Sequence, residues 1–95
     1  MIDWLNTQTE EEVAVDVLVE SVEEHKLIIF NDDVNTFDFV IDSLISVCGH
    51  DPLQAEQCTL IIHFKGKCDV KSGEYDKLEP MCTALLDRGL TAEIQ

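Results

Sequence analysis

In the stretch LIIFNDDVNTFDFV, residues 27–40, Asn31, Asp32 and Asp33 follow directly on four apolar residues, and Asn35 comes two positions later. Two carboxylates and an amide at the mouth of a buried segment admit three chemistries. They can be a turn, because Asn and Asp side chains bond their own backbone. They can ligate a divalent cation if a further donor converges on them, and His63 is the candidate. They can also receive an ammonium group, each charge-assisted bond contributing roughly 1.5–3 kcal/mol net. The chain has no H-x-H, H-E-x-x-H, Gly-rich phosphate loop or G-x-S-x-G, so a hydrolase built on Asp32, Asp33 and His63 has no motif behind it. An amine pocket with aromatic and aliphatic walls could also bury one bulky side chain, adding about 1.5–3 kcal/mol. A peptide N-terminus combines both groups, and its α-amine, with a pKa of about 7.7–8.0, is mostly charged at neutral pH.

The elements that would position these residues can be read from pattern. KLIIF is a short apolar run bounded by turn residues, which predicts a buried strand. Asn35 and Thr36 both suit a helix N-cap, with Asp38 in the first turn. Phe37, Val40, Ile41, Leu44 and Cys48 then follow helical spacing up to Gly49. Asp51-Pro52 restarts a helix whose apolar face runs through Ala55, Cys58 and Ile62, widened by Leu60 and Ile61. His63 lies near its end, among apolar neighbours, where a polar group needs a partner; Lys65-Gly66 closes the helix. KCDVKSG predicts a strand, GEYDKLEPMCTALLDRGL a helix starting near Asp76 and ended by Gly89, and TAEI a last strand. Pro80 is expected to bend that third helix. The order is β-α-α-β-α-β: an α+β fold, three helices packed on one face of a small three-stranded antiparallel sheet.

Ninety-five residues allow one core. Residues 1–24 carry eight acids and no Lys or Arg, and are expected to form a flexible acidic tail, although Val13, Val15, Val17 and Val19 alternate as a strand would. The folded domain is expected over 25–95. Twenty acids against six Lys and Arg give a formal net charge of −14, a field that repels phosphate backbones and anionic lipid. Nucleic acid and membrane are therefore not expected partners. No run approaches the roughly 18 apolar residues of a membrane span. With no Lys or Arg before Lys26, neither a secretory signal nor a transit peptide is expected, and the expected location is the cytoplasm. Cys48, Cys58, Cys68 and Cys82 show no C-x-x-C pairing and are expected to be reduced packing residues, with no metal or cofactor.

The segment NDDVNTFDFVIDSLISVCGHDPLQAEQCTLIIHFKGKC closely resembles the core of the ClpS family, bacterial adaptors that hand N-degron substrates to a Clp-family AAA+ unfoldase. The likeness covers residues 26–95. It rests on Asn31-Asp32-Asp33 after the strand, Phe39-Val40, Ala55 in the helix opened by Asp51-Pro52, and His63 before an aromatic and x-Gly-Lys. The resemblance implies a non-enzymatic, monomeric adaptor. It implies that Asn31 and Asp33 bind the substrate's α-amino group with His63 in the same set, while Asp32 sits at the rim and favours cationic substrates. It implies a side-chain pocket of Ile29, Asn35, Phe37, Val40, Thr59 and Ile62, with Leu, Phe, Tyr or Trp as the first residue of the guest. It also implies docking to the unfoldase N-terminal domain through the third helix, where Asp76 and Met81 stand, and a delivery role for the N-terminal segment. The family often has Thr-Pro where Asn35-Thr36 stand, and methionines at the positions of Phe37 and Thr59. These changes leave a second reading open: a regulator of the same fold that binds the unfoldase without binding N-degrons.

Overall fold

The computed structural model describes residues 24–95. The expected tail, with its alternating valines, lies outside the described residues except for Glu24. The elements are β1 (His25–Phe30), α1 (Phe37–Cys48), α2 (Pro52–Lys65), β2 (Lys67–Gly73), α3 (Tyr75–Asp87) and β3 (Thr91–Ile94), in the β-α-α-β-α-β order expected. The strands form one antiparallel sheet ordered β2-β1-β3. β1 is central because KLIIF is the most apolar strand, and its Leu27, Ile28 and Ile29 are all buried. Leu27 and Ile29 enter the main core with Leu44 of α1, Ala55 and Ile62 of α2, and Leu78 and Leu85 of α3. The β1–β2 register slips between Leu27 and Ile28, so Val70 is an extra residue in β2 and turns into that core.

Capping follows the sequence where it is local. Asp51 accepts the Gln54 N–H at 2.8 Å, with Pro52 in the first turn of α2. Of the two caps offered to α1, Thr36 is used: its Oγ1 accepts the Phe39 N–H at 3.2 Å. α3 ends in a Schellman motif, with Gly89 N–H bonded to Leu86 O and Leu90 N–H to Leu85 O, at 2.9 and 3.1 Å. Gly89 stands there at φ 90°, which a side chain would resist.

One expectation needs correction. Leu60 and Ile61 do not widen the buried face of α2; both are exposed, and the buried face is the narrower Ala55, Thr59, Ile62 stripe. α2 packs on the sheet and α1 along one side only, so its apolar residues exceed the surface available to bury them. α3 begins at Tyr75, as expected near Asp76, and its helical assignment continues through Pro80 to Asp87. The carbonyl that the missing Pro80 N–H would have bonded belongs to Asp76, which is exposed and can turn to water.

One buried polar group links the elements behind the sheet. His50, 4 % exposed just after α1, bonds through Nε2 to the Val70 carbonyl at 2.6 Å. The contact fastens the end of α1 to the bulge in β2. His50 Nδ1 is buried without a hydrogen-bond partner.

Candidate functional site

The strand that buries Ile29 must leave the core at Phe30, and its next residue is held rather than free. Asn31 N–H donates to the Gly66 carbonyl at 2.8 Å, which fixes the start of the polar loop beside the C-terminal end of α2. Gly66, at φ 93°, also donates its N–H to Ile62 O, closing α2. Asn31 therefore lies next to the last turn of α2, where His63 projects.

The loop itself is organised by Asp32. Its Oδ1 accepts the N–H groups of Val34 and Asn35 at 2.9 and 2.8 Å, and its Oδ2 accepts Asn35 Nδ2 at 2.9 Å. Foremost the Asn35 backbone N–H, against an opposing desolvation, then the Asn35 amide and the Val34 N–H, hold the Asp32 carboxyl below its usual range. Asn35 is thus not a helix cap. Its Nδ2 also donates to Gly89 O at 3.0 Å, tying the loop to the segment after α3.

These constraints enclose a cavity of about 310 Å³. That is near the lower limit of ligand pockets, roughly 300–1,000 Å³, and suits a single side chain rather than a large cofactor. Ile29, Asn31, Asp32, Asp33, Asn35, Phe37, Val40, Thr59, Ile62 and His63 all line it. The structure thus gathers around one space every residue the sequence proposed for the amine set and the apolar pocket. Leu90, Phe30 and Thr36 also line it and were missed. Leu90 follows no helical or strand period; only the Gly89 stop before it hinted that the chain turns back there.

The wall divides by chemistry. Ile29, Val40, Ile62 and Leu90 are buried apolar residues, whereas Asn31 and Asp33 are exposed at the rim. Thr59 is 2 % exposed and spends its hydroxyl on Ala55 O at 2.7 Å, so it serves as a small wall residue with its polar atom satisfied. Phe37 is 43 % exposed and stands edge-on to the His63 ring, centroids 5.0 Å apart at 80°. His63 meets Phe64 in the same manner. His63 is exposed, so its ring is not the buried polar group that the sequence expectation required a partner for. Among the described residues no group of three His, Cys, Asp or Glu side chains could hold a metal ion. No described helix is long and apolar enough to cross a membrane.

Asp76 and Met81 stand apart from this cavity. Asp76 is exposed in the first turn of α3, and Met81 is half-buried against the core.

Fold and cavity together define a small α+β recognition domain, apolar within and acidic at the rim. The family model for the ATP-dependent Clp protease adaptor protein ClpS matches residues 20–93. The ClpS adapter protein of Corynebacterium aurimucosum is 32 % identical over 88 residues, covering 93 % of this chain and 79 % of that protein. That of Serratia proteamaculans is 37 % identical over 75 residues, covering 76 % and 70 %. Agrobacterium tumefaciens ClpS2, solved bound to L-phenylalaninamide, matches with a TM-score of 0.74 over 77 % of this chain and 95 % of that one; at 22 % identity the likeness is one of fold. The chain belongs to the ClpS family, adaptors of the ATP-dependent Clp protease.

Proposed function

We propose that this adaptor binds the free α-amino group and bulky apolar first residue of N-degron proteins and delivers them to a Clp-type AAA+ unfoldase. The observation that carries the reading is the shared cavity, lined both by the buried apolar Ile29, Val40 and Ile62 and by the exposed Asn31, Asp33 and His63. An ammonium there would receive acceptors from Asn31 Oδ1 and the Asp33 carboxylate, while its side chain entered between Ile29, Val40, Thr59 and Ile62. Asp32 is half-committed already: its carboxylate organises the loop, and the charge it keeps favours a cationic guest. L-phenylalaninamide, bound by the Agrobacterium protein of this fold, has a free α-amine and a bulky aromatic side chain, the two groups this cavity would separate.

In this reading residues 25–95 are the adaptor domain, monomeric and cytoplasmic, and the acidic residues 1–24 act in delivery. Asp76 and Met81 of α3 contact the N-terminal domain of the unfoldase. No covalent step falls to this chain, and ATP hydrolysis belongs to its partner.

Fluorescence anisotropy with four labelled peptides differing only at the first residue tests the proposal: Leu, Phe, Val and N-acetyl-Leu. Leu and Phe should bind, Val weakly, and N-acetyl-Leu not at all. Affinity for the Leu peptide should also decline as pH rises through the amine pKa of about 7.7–8.0. Failure of all four peptides would leave the regulator reading in its place.

A further inference from the structure

Phe64 follows His63 near the end of α2 and takes no part in the cavity wall, yet among the described aromatic residues it is the most exposed, at 78 %. One exposed apolar side chain is ordinary; a run of them beside a cavity is not. The Phe64 ring stands edge-on to His63, centroids 5.0 Å apart at 77°, and His63 stands in the same way to Phe37. The three rings form one row that starts on two lining residues of the cavity, Phe37 and His63, and ends outside it on Phe64. Leu60, also exposed, lies one turn back on the same face of α2 as Phe64. Part of the apolar surface that α2 leaves uncovered is thus continuous with the cavity wall.

We propose that this shelf of Phe64 and Leu60 is a second subsite, which takes a bulky apolar side chain at the third residue of the guest polypeptide. It rests on the reading of the cavity as the site of the first residue. The position follows from the period of an extended chain, which advances about 3.3 Å per residue and turns alternate side chains to opposite sides. With the first side chain in the cavity, the second points away from the protein, and the third returns to its surface roughly 6.6 Å further on. Phe64 stands one ring contact of 5.0 Å beyond His63, which lines the cavity. A guest that leaves over His63 therefore sets its third residue, not its second, on Phe64. The other exposed margin, the loop 31–35, presents Asn, Asp and a single Val, and so offers far less apolar surface. A second copy of this chain is the poorer occupant, since a shelf of two side chains falls well short of the roughly 800 Å² per partner of a stable interface.

The test is fluorescence anisotropy of the full chain with three labelled peptides that begin Leu-Ser-Ser, Leu-Phe-Ser and Leu-Ser-Phe and are otherwise identical. Leu-Ser-Phe should bind roughly three- to tenfold tighter than Leu-Ser-Ser, the range of one added aromatic contact. Leu-Phe-Ser should bind about as tightly as Leu-Ser-Ser. Phe64→Ser should erase the advantage of Leu-Ser-Phe and leave Leu-Ser-Ser unchanged, whereas Phe64→Tyr, which keeps the ring, should retain it. Equal affinity of all three peptides, an advantage for Leu-Phe-Ser, or an advantage of Leu-Ser-Phe that survives Phe64→Ser would overturn the subsite and leave the first-residue reading intact. A uniform loss for all three peptides in Phe64→Ser would overturn it too, making Phe64 a support of His63. Failure of every peptide to bind the wild-type chain would strike the first-residue reading itself, and the subsite with it.

Discussion

Asn35 is the residue on which two sides of the cavity depend, and its removal can be worked out from two bonds. Its Nδ2 donates to Asp32 Oδ2 at 2.9 Å and to Gly89 O at 3.0 Å. Asn35→Ala deletes both and keeps the backbone N–H that Asp32 Oδ1 accepts. The bond to a carboxylate would reach about 1.5–3 kcal/mol if sheltered, but in this part-exposed loop about 1 is the better figure. The bond to the exposed Gly89 carbonyl adds about 0.5–1 kcal/mol. The expected loss is roughly 1.5–2 kcal/mol, a fall in Tm on the order of 10 °C for a domain of this size. Urea unfolding should show a lower midpoint with unchanged slope. Asn35→Asp separates the latch from mere packing. It loses the same donors and sets a second carboxylate against Asp32, so at pH 7 it should be less stable than the alanine variant. The sign follows from linkage: the neighbouring charge raises the new group's folded pKa, so the penalty is full above that value and vanishes as pH falls below the unfolded one. The two variants should therefore converge in acid. An alanine variant within 0.5 kcal/mol of wild type, roughly the uncertainty of such a difference, would refute the latch. Equal stability of the two variants at pH 7 would refute its electrostatic half.

Asp32→Asn tests the other end of the same contact. Because the Asp32 carboxyl is depressed, chiefly by the Asn35 N–H, its contribution is present above the ordinary Asp value and lost as pH falls through the depressed one. Wild type should lose stability over that acid limb more steeply than Asp32→Asn in urea titrations at stepped pH. Leu85→Ala removes a fully buried side chain from the core and from the Schellman turn that sets Leu90, and should cost about 2–5 kcal/mol by denaturant midpoint. Asp33→Ala should weaken binding of the Leu peptide more than Asp32→Ala does, when both are measured well below their melting temperatures. Equal losses would move the amine contact away from Asp33.

What the sequence disclosed follows the range of the interaction responsible. The strand KLIIF, the Asp51-Pro52 helix start and the stops at Gly49, Gly66 and Gly89 rest on contacts within a few residues, and each was legible. The choice between Asn35 and Thr36 as cap was not, because both residues satisfy the local rule. In the fold the Asn35 amide nitrogen is turned to Asp32 Oδ2 and to Gly89 O, the latter 54 positions away, and Thr36 caps the helix. The width of the buried face of α2 was misread for a similar reason. Periodicity marks Leu60 and Ile61 as apolar, but only the sheet and α1 determine how much of the helix they can cover. Leu90 escaped notice because a lining residue in an irregular segment leaves no period at all.

The alternatives of turn and site, posed by Asn31-Asp32-Asp33, turn out not to exclude each other. Asp32 forms the turn, with three hydrogen bonds from Val34 and Asn35. By holding Asn35 against Gly89 it brings the Leu90 segment to the same space as β1 and α2. Asn31, pinned by its backbone to Gly66, and Asp33, one residue into the turn, then stay exposed at the rim. A single carboxylate could not serve both purposes well, since one that accepts three bonds from its own loop has little capacity left for a guest ammonium. Two adjacent acids divide the work, and the division predicts different phenotypes: loss of Asp32 should appear in stability as well as binding, and loss of Asp33 in binding alone.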